Sequence, residues 1–478
     1  LKLAIMESIS SLEVVNRSAS EIRPRGVIDT NDLAYPVSTS RKVAELIARY
    51  EDISDFIEVS FREMVNWLRG ERATHYIHPY PAKLLPQIAH FFLADPTLFN
   101  PKGVILDPFC GSGTVALETV LSGRKAYWAD VNPLARLITR VKTSHYDLSS
   151  VMDIHTAIKR RRVTGPEIVA PDVVNLTFWY TPSTIDALSR LKLAIEAEAS
   201  AATRDWFMVA LSATARLTSK ADPRFPVPVK RKPGVVFKGK ELVAEPDVYS
   251  IFDEQLFALL KRHQNFQSLV GRFPETYCVG NDARAIKNID GEAFSDAAIP
   301  NDSVDGIITS PPYASAQKYI RSSSLSLGWL SLASTDELRL LNGRSIGRER
   351  FSKAHSDVLL ATGIPAADRV INLVYETNRN RAAIASHYLL EMRDFLAEAA
   401  RVLKPGAHMV IVVGNNQICG QAFETSEYLC SMATLFNLDL KLKLVDTIKG
   451  RGLLTKRHAT AGVITHEWIL LFRKRCLG

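Results

Sequence analysis

Five short apolar runs in this chain each carry polar residues or glycine towards their C-terminal ends. They are Gly103 to Phe109, Lys125 to Val131, Thr276 to Asp282, Val304 to Ser310 and His408 to Gly414. A strand exposed on one face would alternate apolar and polar residues, so unbroken runs read as central strands covered on both faces. Helical patterns lie between them, at Thr114 to Ser122, Leu134 to Val141 and Tyr388 to Leu403. The last is closed by Lys404-Pro405-Gly406, a stop-and-turn signal. Two further runs, Leu442 to Ile448 and Glu467 to Arg473, have no long helix between them and read as an antiparallel ending. The expected fold is α/β, with a mostly parallel seven-stranded sheet, its last strand antiparallel, plus helical insertions. In such sheets, ligand groups gather at the carboxyl ends of the strands.

The insertions interrupt the alternation twice. Residues 142–275 are expected to be largely helical, at Thr184 to Ala199, Arg204 to Leu217 and Asp253 to Val270, with a loop rich in Pro and Lys from Asp222 to Lys240. Residues 314–385 are rich in Ser, Gly and Arg. Both follow strands and are expected to emerge at the carboxyl edge. Residues 1–74 read as an irregular or helical extension, irregular over about the first 40. The domain plan is therefore a core of residues 75–141 and 276–478, interrupted by 142–275 and by 314–385.

Composition narrows the setting. The 478 residues are 46% hydrophobic and 23% charged, ordinary for a globular protein. No apolar run approaches the roughly 18 residues that span a bilayer, and no charged-then-apolar leader opens the chain. No membrane partner is expected. The five cysteines are scattered with no CxxC pair, which disfavours a disulfide framework or a zinc site and fits a reducing cytoplasm. His75 and His78 stand close together without an accompanying Cys or acidic cluster, so no metal is expected there. The net charge of +8 favours a polyanionic partner. Its distribution is more informative. Lys159 to Arg162, Lys230-Arg231-Lys232, and Lys449 with Arg451 form basic clusters in expected loops or insertions, where phosphates would be met.

Two motifs carry chemistry. Asp107-Pro108-Phe109-Cys110-Gly111-Ser112-Gly113-Thr114 is a glycine-rich turn between a strand and a helix. Such a turn lets backbone N–H groups approach a ligand. It has no Lys after the glycines and no GxGxxG spacing, so it is neither a Walker loop nor a dinucleotide fingerprint. Asp130 ends the second strand, where a carboxylate accepts hydrogen bonds from a ribose diol. Asp282 ends the third, within reach of an adenine amino group.

The second motif, Ser310-Pro311-Pro312-Tyr313, ends the fourth strand. The amino group of a nucleobase is a poor nucleophile, because its lone pair is delocalised into the ring. The Ser310 hydroxyl and the Pro311 carbonyl would accept its two N–H bonds and free the lone pair, which is orientation and electrostatic preorganisation. Prolines hold those acceptors in place, and Tyr313 offers a face on which an extruded base stacks. A C5-cytosine enzyme would need a nucleophilic Cys after a Pro, and no Pro-Cys pair occurs. Phe178, Trp179 and Tyr180 read as packing residues.

In this order the motifs resemble those of the amino-group DNA methyltransferases, which take their methyl group from S-adenosylmethionine. Phe109, Gly111 and Gly113 match that family's F-x-G-x-G. The resemblance covers about residues 75–141, 276–330 and 385–474 and implies a Rossmann-like class I methyltransferase fold. It also implies that Asp107 to Thr114 wraps the methionine part of the cofactor, that Asp130 takes the ribose, and that Asp282 with Ala283 lies by the adenine. His78 to Lys83 resembles a segment that closes over the methionine carboxylate, with Lys83 supplying charge. Ser at the head of the second motif leans towards cytosine N4. Adenine N6, RNA N2-guanine and a catalytically inactive DNA-binding subunit stay open as alternatives. The implied partners are double-stranded DNA and a restriction or defence system, with residues 142–275 as the first choice for target recognition.

Overall fold

A computed structural model describes residues 35, 37–81, 83–162, 170–234, 236–237, 240–241, 245–290, 293–314, 318–348, 359–448 and 464–476. The chain divides into two units, Leu1–Val37 and Ser38–Gly478, and every element below lies in the second.

Among the described residues, eight strands form the main sheet. They are β1 (Ile57–Val59), β2 (Val104–Asp107), β3 (Lys125–Trp128), β4 (Thr276–Cys278), β5 (Val304–Thr309), β6 (Leu403–Val413), β7 (Leu438–Thr447) and β8 (His466–Lys474). Their order across the sheet is β1-β7-β8-β6-β5-β2-β3-β4. β8 runs antiparallel to both neighbours, β7 and β6, and every other pairing is parallel. The expected count of seven is corrected to eight. The additional edge strand, β1, pairs Ile57 with Leu444 inside the stretch read as an extension. At three residues it is too short to show a period.

The central strands are sealed on both faces. Val304, Ile307 and Ile308 of β5 and Met409 to Val413 of β6 are fully buried. Parallel neighbours require crossover connections, and these helices supply the cover. The relevant ones are α1 (Pro86–Leu93), α2 (Thr114–Leu121), α3 (Pro133–Thr143), α4 (Leu148–Arg161), α5 (Pro182–Glu198), α6 (Ala201–Thr218), α7 (Val248–Leu269), α8 (Tyr319–Trp329), α9 (Thr335–Arg344) and α10 (Arg379–Val402). Local signals start several of them. Asn132 accepts from Leu134 N at 3.1 Å with Pro133 in the first turn of α3, and Asp247 caps α7 through Tyr249 N and Ser250 N.

Two apolar cores result. One joins the sheet to α10. The other is built by α4 to α7 around Trp206, Phe207, Leu211 and Phe252, and it includes Leu134 and Ile138 of α3 and Leu325 and Trp329 of α8. The helices between β3 and β4 thus share their interior with the helices that follow β3 and β5. No helix among the described residues is long and apolar enough to cross a membrane.

Burial also makes the fold sensitive to acid. His75, His78 and His263 lie in the interior, and desolvation pushes their pKa values down to about 4, 3 and 4. They are neutral in the fold, whereas the unfolded chain protonates them near pH 6.5. The unfolded state therefore binds more protons below that pH, and stability falls as pH drops from about 6.5 towards 4. Each histidine contributes a slope of about 1.4 kcal/mol per pH unit. Asp107, whose carboxyl burial pushes up to about 7, opposes this over the same range, but three rings outnumber one carboxyl, so urea midpoints should decline from pH 7 to pH 5; a flat profile would mean that these rings are charged in the folded protein.

Candidate active site

The strand ends predicted to carry chemistry converge. Three of the expected strands stop early: β2 at Asp107, β3 at Trp128 and β4 at Cys278. The residues beyond them leave the sheet and form one wall of a cleft. An open hollow of about 660 Å³ is lined by Tyr80, Pro108, Phe109, Gly111, Asp130, Val131, Asp282, Ala283, Ser310, Pro312, Tyr319, Arg344, Ser345 and Ile346.

The glycine turn is shaped from both sides. Gly113 sits at φ +74°, and a Cβ there would lie 2.7 Å from Thr139 Oγ1 on α3. The turn needs glycine for its backbone angle and for the close approach of α3. Gly111 N donates to Asp130 Oδ2 at 2.8 Å, and Asn132 N donates to Asp130 Oδ1 at 2.8 Å. Two backbone donors therefore aim this carboxylate, and burial raises its pKa. Asp107 is buried behind the turn, where it accepts from Thr309 Oγ1 at 2.7 Å and Phe109 N at 3.2 Å. Burial pushes its carboxyl up to about 7. It ties the end of β2 to the end of β5, so both motifs share one anchor.

Asn132 joins three segments. Its Nδ2 donates to Tyr80 Oη at 3.1 Å and to Ser323 Oγ on α8 at 2.9 Å. Tyr80 is buried at the base of the cleft. On the far side, Arg284 grips Asp282 through Nε and Nη2 at 2.9 and 2.8 Å. Arg284 also donates to the Arg344 carbonyl at 3.3 Å and pairs with Glu391, which pairs with Arg348 at 2.9 Å. This ionic chain holds residues 344–346 against the cleft.

Ser310 is half-buried on the cleft wall beside Pro312. The Tyr313 ring packs on the backbone of Gly414, where a Cβ would lie 2.9 Å from Cε2, and its hydroxyl donates to Glu467 Oε1 at 3.1 Å. Beyond Tyr313 a second open hollow, of about 810 Å³, is lined by Asn415, Asn416, Gln417, Glu424, Ile464, His466 and Trp468 among others.

Several predicted residues stand elsewhere. His78 is buried with Nε2 2.8 Å from Ser212 Oγ on α6. Lys83 donates to the His78 carbonyl at 2.7 Å and lies over the Tyr76 ring. Burial and Arg262 push its pKa down to about 8. Neither is among the residues that line the hollow, and the Lys83 ammonium donates to the His75 and His78 carbonyls of its own segment. Asp107, Gly113 and Thr114 shape the wall from behind. Phe178 is exposed rather than packed, while Tyr180 is buried. Lys230, Arg231 and Lys232 lie on a hairpin between α6 and α7, and Lys449 and Arg451 lie outside the described residues. Sequence reasoning missed Tyr80, Tyr319 and residues 344–346 as cleft residues. Tyr80 had a signal, its place inside His78 to Lys83; the segment after α9 had none.

The residues present fit S-adenosylmethionine. Asp130, aimed by two backbone donors, would offer acceptors to a ribose diol, and Val131 and Ile346 would offer apolar surface to a purine ring. The group supplies an electrophilic methyl on a sulfonium.

Comparison with known proteins bears on the same region. A family profile described as RMKL-like, methyltransferase domain, matches residues 74–162. The chain is 24% identical over 410 residues to the type II methyltransferase M.MvaI of Kocuria varians, covering 82% of this chain and 88% of that one. It is 38% identical over 80 residues to the type II methyltransferase M.MjaII of Methanocaldococcus jannaschii, covering 17% of this chain and 15% of that one. It also aligns with the structure of the rRNA methyltransferase aviRa from Streptomyces viridochromogenes at 10% identity and a TM-score of 0.31, covering 87% of this chain and 96% of that chain. The sequence relationships and the cleft together make this chain an S-adenosylmethionine-dependent methyltransferase.

Proposed function

We propose that this chain methylates the exocyclic N4 of cytosine in double-stranded DNA, on a base drawn out of the helix. The observation that carries the reading is the sharing of one cleft by Ser310 and Pro312 with Asp130 and Asp282. Acceptors for an amino group then face the place where a nucleoside cofactor would present its methyl. Ser310 Oγ and the Pro311 carbonyl take the two N–H bonds, which leaves the nitrogen lone pair pointing across the cleft. S-adenosylmethionine, held by Asp130 and the glycine turn, would supply the methyl to that nitrogen, whose extra proton would pass to solvent. Tyr313, held by Glu467 and by the flat surface of Gly414, supports the base face. The hollow beyond it, with Asn415, Asn416 and His466, offers polar edges where the rest of the nucleotide would sit. Similarity to a type II methyltransferase over most of both chains supports a nucleic-acid substrate. Lys230, Arg231 and Lys232 on the insertion 142–275 are assigned to the phosphates, and the same insertion to target recognition.

Incubation of DNA and of RNA with the protein and methyl-labelled S-adenosylmethionine, followed by nucleoside mass spectrometry, tests the reading. Labelled N4-methyldeoxycytidine is expected. Labelled N6-methyldeoxyadenosine would move the target to adenine, and label confined to RNA would overturn the DNA assignment. Asp130→Ala should weaken cofactor binding roughly 10- to 100-fold, the loss of charge-assisted hydrogen bonds to a diol. Titration calorimetry checks this, and unchanged affinity would take Asp130 out of the ribose site.

A further inference from the structure

Between α6 and α7 the chain doubles back on itself. Ala221 bridges Lys230 in antiparallel fashion, Asp222 N donates to the Val229 carbonyl at 2.8 Å, and Arg231 N donates to the Lys220 carbonyl at 3.0 Å. The tip of this hairpin is held rigid. Pro223, Pro226 and Pro228 restrict its backbone. Arg224 is bound by Asp222 through Nε and Nη2, and Arg216 Nη2 donates to the Phe225 carbonyl at 2.6 Å. Yet the Phe225 side chain at that tip is 49% exposed. On the flank, Lys230 Nζ stands 5.0 Å from the centre of the Phe178 ring, itself 46% exposed.

The Phe225 ring, with the Arg224 guanidinium 6.0 Å from its centre, is thus presented to solvent on a fixed backbone, where a ligand can stack on it. Charge identifies the ligand class. Residues 219–232 hold five cations, Lys220, Arg224, Lys230, Arg231 and Lys232, against one acid, Asp222, which is already bound to Arg224. Cations interleaved with exposed aromatic rings match a polynucleotide, whose phosphates and base faces alternate.

The hairpin is also well placed. Its root is tied to the segment before α5, where Lys220 N donates to the Trp179 carbonyl at 2.7 Å. The next residue, Tyr180, packs edge-on against Trp329 at 5.4 Å. Trp329 ends α8, whose first residue, Tyr319, lines the cleft. The hairpin root and the cleft are thus linked through the two ends of one helix, about 15 Å long.

We propose that Phe225 is an aromatic wedge that stacks on a nucleobase of the bound polynucleotide other than the methylated base, with Lys230 and Lys232 on the adjacent phosphates. This rests on the nucleic-acid reading of the substrate. The test uses the full chain and a fluorescein-labelled DNA duplex of mixed sequence, about 30 base pairs long, with Kd measured by anisotropy between about 50 and 200 mM salt. Phe225→Ala is expected to raise Kd roughly 5- to 150-fold without changing the slope of log Kd against log salt, and Phe225→Trp to restore wild-type affinity. Lys230→Ala is expected to lower that slope by about 0.9, the signature of one lost phosphate contact. S-adenosylmethionine affinity by calorimetry should stay at the wild-type value in all three. Wild-type Kd in Phe225→Ala, or equal loss in Phe225→Ala and Phe225→Trp, overturns the wedge while leaving the substrate reading intact. A wild-type protein that binds neither this duplex nor the matching RNA overturns both.

Discussion

Ser310→Ala is expected to lower methyl transfer roughly 10²- to 10³-fold while leaving affinity for S-adenosylmethionine unchanged. The magnitude is that of removing one preorganised polar group from a reacting centre. The selectivity follows from what holds the strand end. Thr309, one residue earlier, is fully buried and bonded to Asp107, and Pro311 follows immediately. The backbone therefore keeps its course without the Ser310 hydroxyl, and Asp130 stays aimed by Gly111 N and Asn132 N. Only the proposed acceptor for the amino group is lost. Single-turnover methylation with labelled cofactor, alongside calorimetry, separates the two effects. Turnover close to wild type would remove Ser310 from the chemistry, and a parallel loss of cofactor affinity would recast it as part of the cofactor wall.

Glu118→Ala is expected to destabilise the fold by about 3–5 kcal/mol, the range for removing one partner of a buried charged network. Glu118 is fully buried on α2, the helix that leaves the glycine turn. Its carboxylate pairs with Arg72 Nη2 at 2.5 Å, His75 Nε2 at 2.7 Å and His90 Nδ1 at 3.2 Å. Burial opposes its charge, but Arg72 and the two histidine hydrogen bonds outweigh that and hold its pKa well below the usual carboxylate range. Removal leaves Arg72 and the two rings facing an empty apolar site. Urea denaturation at pH 7.5 measures the loss, and a change under about 1 kcal/mol would show that the network contributes no more than an exposed pair does. The network joins the segment before His78, α1 and α2, so its loss also loosens the support of the glycine turn.

Much of this architecture was legible in the residues themselves. The strand runs were visible because burial on both faces leaves an unbroken apolar record, as at His408 to Gly414 and Val304 to Ser310. Their polar endings marked the ligand edge, and both motifs came to that edge. The helix starts at Asn132-Pro133 and Asp247 are likewise local, since a cap needs only its own next few residues. Strand β1 was missed because three residues carry no period and Ile57 is held by a partner far along the chain, Leu444. The bond from Lys83 to the His78 carbonyl was not legible, because a lysine's charge does not record which carbonyl it meets.

Local sequence thus determined which segments become strands, where they stop, and which chemical groups stand at their ends, because hydrophobic period and backbone conformation act over a few residues. The tertiary structure decided which of those groups meet. Residues 344–346 reach the cleft only because Asp282, Arg284, Glu391 and Arg348 form one ionic chain drawn from three separate stretches. Glu118 keeps its charge in the interior only because Arg72, His75 and His90 arrive from other elements. Contacts of that kind depend on the packing of distant segments, and no period or motif in any one of them records it.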